Sequence, residues 1–285
     1  MRPKLLIIII WIGLLFLGSH QSAQADSPVW KILKGDHHVY IGGTIHVLSK
    51  SDYPLPAAFE TAYNQSAKLV FETDTRKLQT PEFQAALMRK VVYSDGRSLK
   101  TVLNETTFRK LENHLAGRGI PISNFMKLKP GMVALTLTII ELQRLGLMGT
   151  GVDEFFSLRA LNHQEVVGQL ENVGDQLKLR SSLCDGQENE IIDRTLQETK
   201  KLRTMVQTMK AAWRQGDNPT LEKIILMPFK KDFPGVYERV VVKRNNDWLP
   251  KIEGMLKTKE VEFILVGALH LIGEDGVLTK LRERG

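Results

Sequence analysis

Trp30, Ile32, Val39 and Ile41 alternate with more polar neighbours on either side of Gly35-Asp36. That period-two pattern reads as two strands joined by a turn. Residues 54–74, "PLPAAFETAYNQSAKLVFETD", read as a proline-started helix and then a short strand, Lys68–Phe71, ending at Glu72. Residues 80–92 predict a helix capped by Thr80 with Pro81 at its first position, and residues 105–119 a helix ended by glycines. The apolar run 129–147 begins at Pro130 and is interrupted by Glu141, Gln143 and Arg144, which makes it a buried helix rather than a membrane span. Residues 149–164 follow, and "EVVGQL" (165–170) reads as a strand with Glu171 at its end. Residues 186–226 read as an inserted helical layer with a break at Gly216-Asp217. Residues 238–256 read as a helix or a strand–helix join, and 261–285 as strand, glycine-rich turn and helix. Strands alternating with helices, with no linker between them, predict one α/β domain over 26–285. It has a central, mostly buried sheet, surrounding helices, and helical insertions at about 80–148 and 186–226.

The first 25 residues stand outside that pattern. Arg2 and Lys4 precede the apolar stretch 5–18, and "AQA" (23–25) supplies a small-x-small site, the pattern of a secretory signal peptide cleaved before Asp26. An uncleaved anchor is the alternative, but the apolar stretch is short and polar residues follow at once. The expected route is across the inner membrane, to the periplasm in a Gram-negative host, with no stable membrane span after cleavage. Cys184 is the only cysteine, so no intramolecular disulfide can form and the core must hold the fold. The formal charge is +7, or about +5 (7 − 2) without Arg2 and Lys4. Basic residues are scattered among acidic ones with no interleaved aromatics, which excludes nucleic acid as the expected partner.

The candidate chemistry lies at strand ends. "GGTIH" (42–46) and "GALH" (267–270) each bring a histidine three residues after a glycine, at the close of an apolar run. Glu72 and Asp74 follow a third such run and Glu171 a fourth. In α/β sheets ligands gather beyond the carboxyl ends of strands. Two imidazoles and a carboxylate there would suit a divalent transition metal, Zn²⁺, Mn²⁺ or Co²⁺, with an open position for water. Neither motif alone outweighs the ordinary reading of a strand-end histidine as a satisfied turn residue. His37 and His38 are adjacent on a strand, point to opposite faces, and read as surface residues. His114 and His163 read as surface positions on helical segments.

"GGTIHV" (42–47), "LVFETD" (69–74), "GVDEFF" (151–156), "GQLENVGDQ" (168–176), "WRQGD" (213–217), "RNNDW" (244–248) and "VGALHLIGEDGVLTKLRERG" (266–285) occur in the order of the TraB/GumN family. The chain resembles that family, related to the Tiki proteins and more remotely to erythromycin-esterase and ChaN-like proteins. The resemblance implies a metal-dependent hydrolase fold with His46, His270 and Glu72 at the active centre. The Tiki proteins' peptide specificity does not carry over with it, and a peptide or protein substrate is the leading expectation. His46 and His270 would be metal ligands, and Glu72 a third ligand or the base acting on metal-bound water. Glu171 would be a further ligand or the partner of Arg244. Arg244 would stabilise an oxyanion or form a structural ion pair, and Asn245 would bind substrate or hold its loop. Asp74 would orient a histidine or cap a helix, and Asp153 and Glu154 would open a helix. The relatives also leave open haem or iron binding, a metal-free esterase-like hydrolase with His46 as base, and a non-catalytic envelope or polysaccharide role.

Overall fold

A computed structural model describes residues 27–182 and 187–285 of the chain. The signal-peptide reading of 1–25 and Cys184 lie outside the described residues.

Five strands form one mixed sheet in the order β1-β2-β5-β3-β4. β1 (Val29–Lys34) and β2 (His37–Thr44) form the predicted hairpin, with Gly35 at φ +58° in the turn. β2 runs parallel to β5 (Glu262–Gly267), β5 to β3 (Lys68–Phe71), and β3 to β4 (Val167–Gln169). Four parallel strands therefore end on the same edge of the sheet. β1 alone is antiparallel, and it lies at the rim. Helices pack around the sheet, giving the α/β architecture expected.

The principal core joins Ile41, Phe59, Phe156, Phe263, Trp213 and Trp248 around the sheet. Phe59 contacts Phe156, Trp213 and Phe263 at centroid distances of 6.1, 5.8 and 6.2 Å, so the sheet, the helix Ala57–Gln65 and two distant helices share one aromatic centre. Residues of the segments 80–148 and 186–226 build a second core. Leu111 on the helix Glu105–Ala116 and Leu137 on Pro130–Arg144 bury with Ile192 on Glu188–Glu198, so the two segments pack on each other. Among the described residues, no helix is long and apolar enough to cross a membrane.

Local chemistry sets the boundaries. Thr80 Oγ1 accepts from Phe83 N–H at 3.3 Å with Pro81 at the first helical position, so the cap read from sequence forms. Residues 238–256 contain no strand: a wide π turn, Glu238–Val242, runs straight into the helix Lys243–Met255. His114 is not a surface residue. Its side chain is largely buried, and Nε2 lies 3.9 Å from Glu141 Oε1 beside Arg118.

Candidate functional site

The two Gly-x-x-His motifs are neighbours. Gly43 pairs with Val266 and Thr44 with Gly267, so β2 and β5 bring the two motifs side by side with a one-residue stagger. A Cβ on Gly43 would sit 3.2 Å from Ala268 Cα, a tight contact that glycine avoids where the turn after β5 packs against β2. Glu72 follows β3, on the other side of β5, and Glu171 follows β4. Glu171 N–H donates to Glu72 O at 2.8 Å, which carries the ladder one step past the strands. Strand spacing puts β2 and β3 roughly 10 Å apart. Gly267 lies between them without a side chain, so His46 and Glu72 can approach each other over it.

Glu72, Glu171, Arg244 and His270 form one buried network. Glu72 Oε1 accepts from Gly267 N–H at 2.7 Å and Oε2 from Arg244 Nη2 at 2.5 Å. Glu171 takes a fork from Arg244, Nε to Oε2 at 3.0 Å and Nη2 to Oε1 at 2.5 Å, the bidentate geometry that suits a guanidinium. Arg244 Nη1 contacts His270 Nε2 at 2.9 Å. His270 Nδ1 lies 2.7 Å from Asn245 Oδ1, and Asn245 Nδ2 donates to the carbonyls of His270 and Asp275 at 3.1 and 2.8 Å. Trp248 flanks both partners, its ring 4.5 Å from the His270 ring and 4.7 Å from Arg244 Cζ.

Burial alone would raise the Glu72 pKa, but Arg244, His270 and the Gly267 N–H outweigh it and bring the carboxyl down to about 2. Burial lowers His270 to about 4 despite Glu72, so it is a neutral imidazole at physiological pH. Both nitrogens of that imidazole are engaged.

His46 stands apart from this network but close to it. Its Nδ1 lies 2.9 Å from Asp153 Oδ1, an ion-pair contact rather than an aligned hydrogen bond. Asp153 contact raises the His46 pKa, burial opposes it, and Asp153 and Glu72 charges add to the rise. The His46 side chain is 75% exposed, so solvent screens these attractions. Gly151, Trp213 and Arg214 fix the loop. A Cβ on Gly151 would sit 2.9 Å from His46 Cα. Trp213 donates its indole N–H to Gly43 O at 2.7 Å, and Arg214 donates to Asp52 O and Pro54 O at 2.8 and 2.7 Å. The "WRQGD" segment therefore clamps the chain on both sides of His46.

Asp74 is not beside a histidine. It accepts from Arg76 N–H at 3.2 Å and pairs with the Arg76 guanidinium at 2.8 and 2.9 Å, which makes it a helix cap. Two residues of the site were not singled out from sequence. Gln176 donates to Glu171 at 2.5 Å and accepts from Arg180 Nε at 3.3 Å. Arg180 lies within electrostatic reach of Glu72, Arg244 and His46. The signal for it was its place one helical turn beyond Gln176, at the end of a family segment.

The donors divide clearly when tested against a divalent ion. His46 fits, because a carboxylate on one imidazole nitrogen is the usual support for a metal-binding histidine. Glu72 fits, being ionised and 26% exposed. His270 does not fit in this arrangement, since Arg244 occupies its Nε2 lone pair. Among the described residues, no group of three His, Cys, Asp or Glu side chains is arranged to hold a metal ion.

A parallel-stranded α/β fold with two Gly-x-x-His turns over an Arg–Glu network defines the class of protein. The TraB/PrgY/gumN family matches residues 28–285, and the chain belongs to it. It is similar to a protein of Escherichia coli (strain K12) and one of Shigella flexneri, each named uncharacterized protein YbaP. Both are 25% identical over 251 residues, 88% of this chain and 90% of theirs. No solved structure matches.

Proposed function

We propose that the chain is an exported, metal-dependent hydrolase acting on peptide bonds, with its reacting centre between His46 and Glu72. The observation that carries this reading is the contact of His46 Nδ1 with Asp153 at 2.9 Å, beside an ionised Glu72 at the end of a parallel strand. His46 and Glu72 would hold the ion, with water or substrate completing its shell. The ion would supply Lewis acidity and a nucleophilic hydroxide near neutral pH. The chain's own groups have separable roles. Asp153 anchors His46 by its charge. Arg244 keeps Glu72 ionised. Peptide bonds are the leading substrate class, suggested by the resemblance to the Tiki proteins.

The His46–Asp153 pair also supports a second reading, in which His46 acts as a general base with no metal. Incubating the tag-free protein with a mixed peptide library and following cleavage by mass spectrometry separates the two. The proposal expects cleavage that stops on chelation and returns with Mn²⁺, Co²⁺ or Zn²⁺. Cleavage that survives full chelation supports the second reading, and no cleavage with any of the three ions counts against hydrolysis of peptides.

A further inference from the structure

The inference rests on the reading that His46 and Glu72 face a divalent ion, and it concerns which other groups join them. A guanidinium carries five N–H donors and no acceptor. Each of the five on Arg244 meets one acceptor. Nε donates to Glu171 Oε2, and Nη2 to Glu171 Oε1 and Glu72 Oε2. Nη1 donates to His270 Nε2 at 2.9 Å and to Val240 O at 3.4 Å. Val240 lies in the π turn Glu238–Val242, four residues before Arg244. Nothing on this guanidinium is left over, so its position is fully specified.

That accounting also fixes the histidine. Nη1 bears only protons, so His270 Nε2 must accept and Nδ1 must carry the ring proton. Asn245 agrees independently. Its amide nitrogen is committed to two carbonyls, which turns its oxygen toward Nδ1 and makes it the acceptor there.

We propose that Arg244 is a resident cation filling the space between Glu72, Glu171 and His270, and that His270 is a positioning residue that holds this guanidinium. The ion then binds outside the network, at His46 and Glu72. Arg244 supplies the fixed positive charge that the second histidine was expected to recruit from a metal. Glu72 faces both cations, one built in and one acquired.

Long-range ¹H–¹⁵N spectra of the labelled protein, recorded before and after addition of ZnCl₂, test this. The expected result is His270 in the neutral Nδ1–H form in both spectra, while the His46 ring nitrogens shift on Zn²⁺ addition. A His270 Nε2 that moves to a metal-bound shift overturns the proposal, and so does a protonated Nε2 in the metal-free spectrum. Variants give a second readout. His270→Gln offers Nη1 a carbonyl acceptor, and should keep Zn²⁺ affinity within about tenfold along with a slowly exchanging Arg244 guanidinium. His270→Leu should lose that guanidinium signal. If a folded His270→Gln loses Zn²⁺ as completely as His46→Gln, the proposal fails while the metal-dependent reading stands. If the wild type takes up none of Zn²⁺, Mn²⁺ or Co²⁺, the metal-dependent reading fails, and the tautomer in the metal-free spectrum still decides the role of His270.

Discussion

Arg244 Nη1 lies 2.9 Å from His270 Nε2, joining the "RNNDW" helix to the turn after β5. The same guanidinium reaches Glu72 after β3 and Glu171 after β4, so one side chain ties three parallel strand ends together. Removing one partner of a buried ion pair leaves the others uncompensated, at a cost of about 3–5 kcal/mol. Arg244→Met is therefore expected to lower unfolding stability by that amount in urea titration. A loss below about 1 kcal/mol, the range of an exposed pair, would contradict the network's structural role.

Acid should weaken the fold in two stages. His270 has an ordinary value of 6.5 and a folded value of about 4, so between those pH values the unfolded chain takes a proton that the native imidazole refuses. Stability contributed by the neutral ring is complete above pH 6.5 and falls toward pH 4, by on the order of 3 kcal/mol at most. Glu72 continues the loss as pH drops from its ordinary 4.5 to about 2. Denaturation curves at pH 7.5, 5.5 and 4 should show decreasing stability, and His270→Gln should flatten the limb between 6.5 and 4. Equal wild-type stability at pH 7 and pH 4 would contradict the assignment.

Trp213 is buried and donates to Gly43 O from a helix 170 residues away in sequence. Trp213→Phe keeps an aromatic ring in the core but leaves that carbonyl without its donor. A cost of about 1–3 kcal/mol is expected from the unsatisfied group. The thermal unfolding midpoint should fall accordingly, because this bond holds the end of β2, which leads to His46.

Gly151→Ala tests the His46 loop from the other side. The added Cβ would sit 2.9 Å from His46 Cα and 3.0 Å from Ile45 O, both backbone atoms that cannot rotate away. Overpacking of this kind costs about 1–3 kcal/mol. The variant should remain folded by circular dichroism while its metal affinity drops, since His46 must move off Asp153.

The strand ends were legible because glycine, proline and period-two alternation mark them, and because parallel strands gather function at their carboxyl ends. His46, Glu72, Glu171 and His270 follow from that rule alone. Apart from Arg244, read from sequence as one candidate partner of Glu171, their partners do not. Asp153 meets His46 only through the packing of the helix Val152–Asn162, and Gln176 and Arg180 reach the network from the helix Val173–Ser182. Local sequence carries no trace of such pairings. Asp74 shows the converse: its spacing from Glu72 suggested a shared strand face, but the strand stops at Phe71 and the residue turns to cap a helix. His114 looked exposed because its burial depends on Glu141, 27 positions later and on another helix.

The central claim is that His46 and Glu72 hold a divalent ion. Calorimetric titration of tag-free protein with Mn²⁺, Co²⁺ and Zn²⁺ tests it most directly, alongside His46→Ala and Glu72→Gln variants shown to be folded. The account predicts about one equivalent of at least one of these ions in the wild type and a loss of ten- to a hundredfold or more in affinity in each variant. No stoichiometric uptake of any of the three, or uptake unchanged by both substitutions, would contradict it.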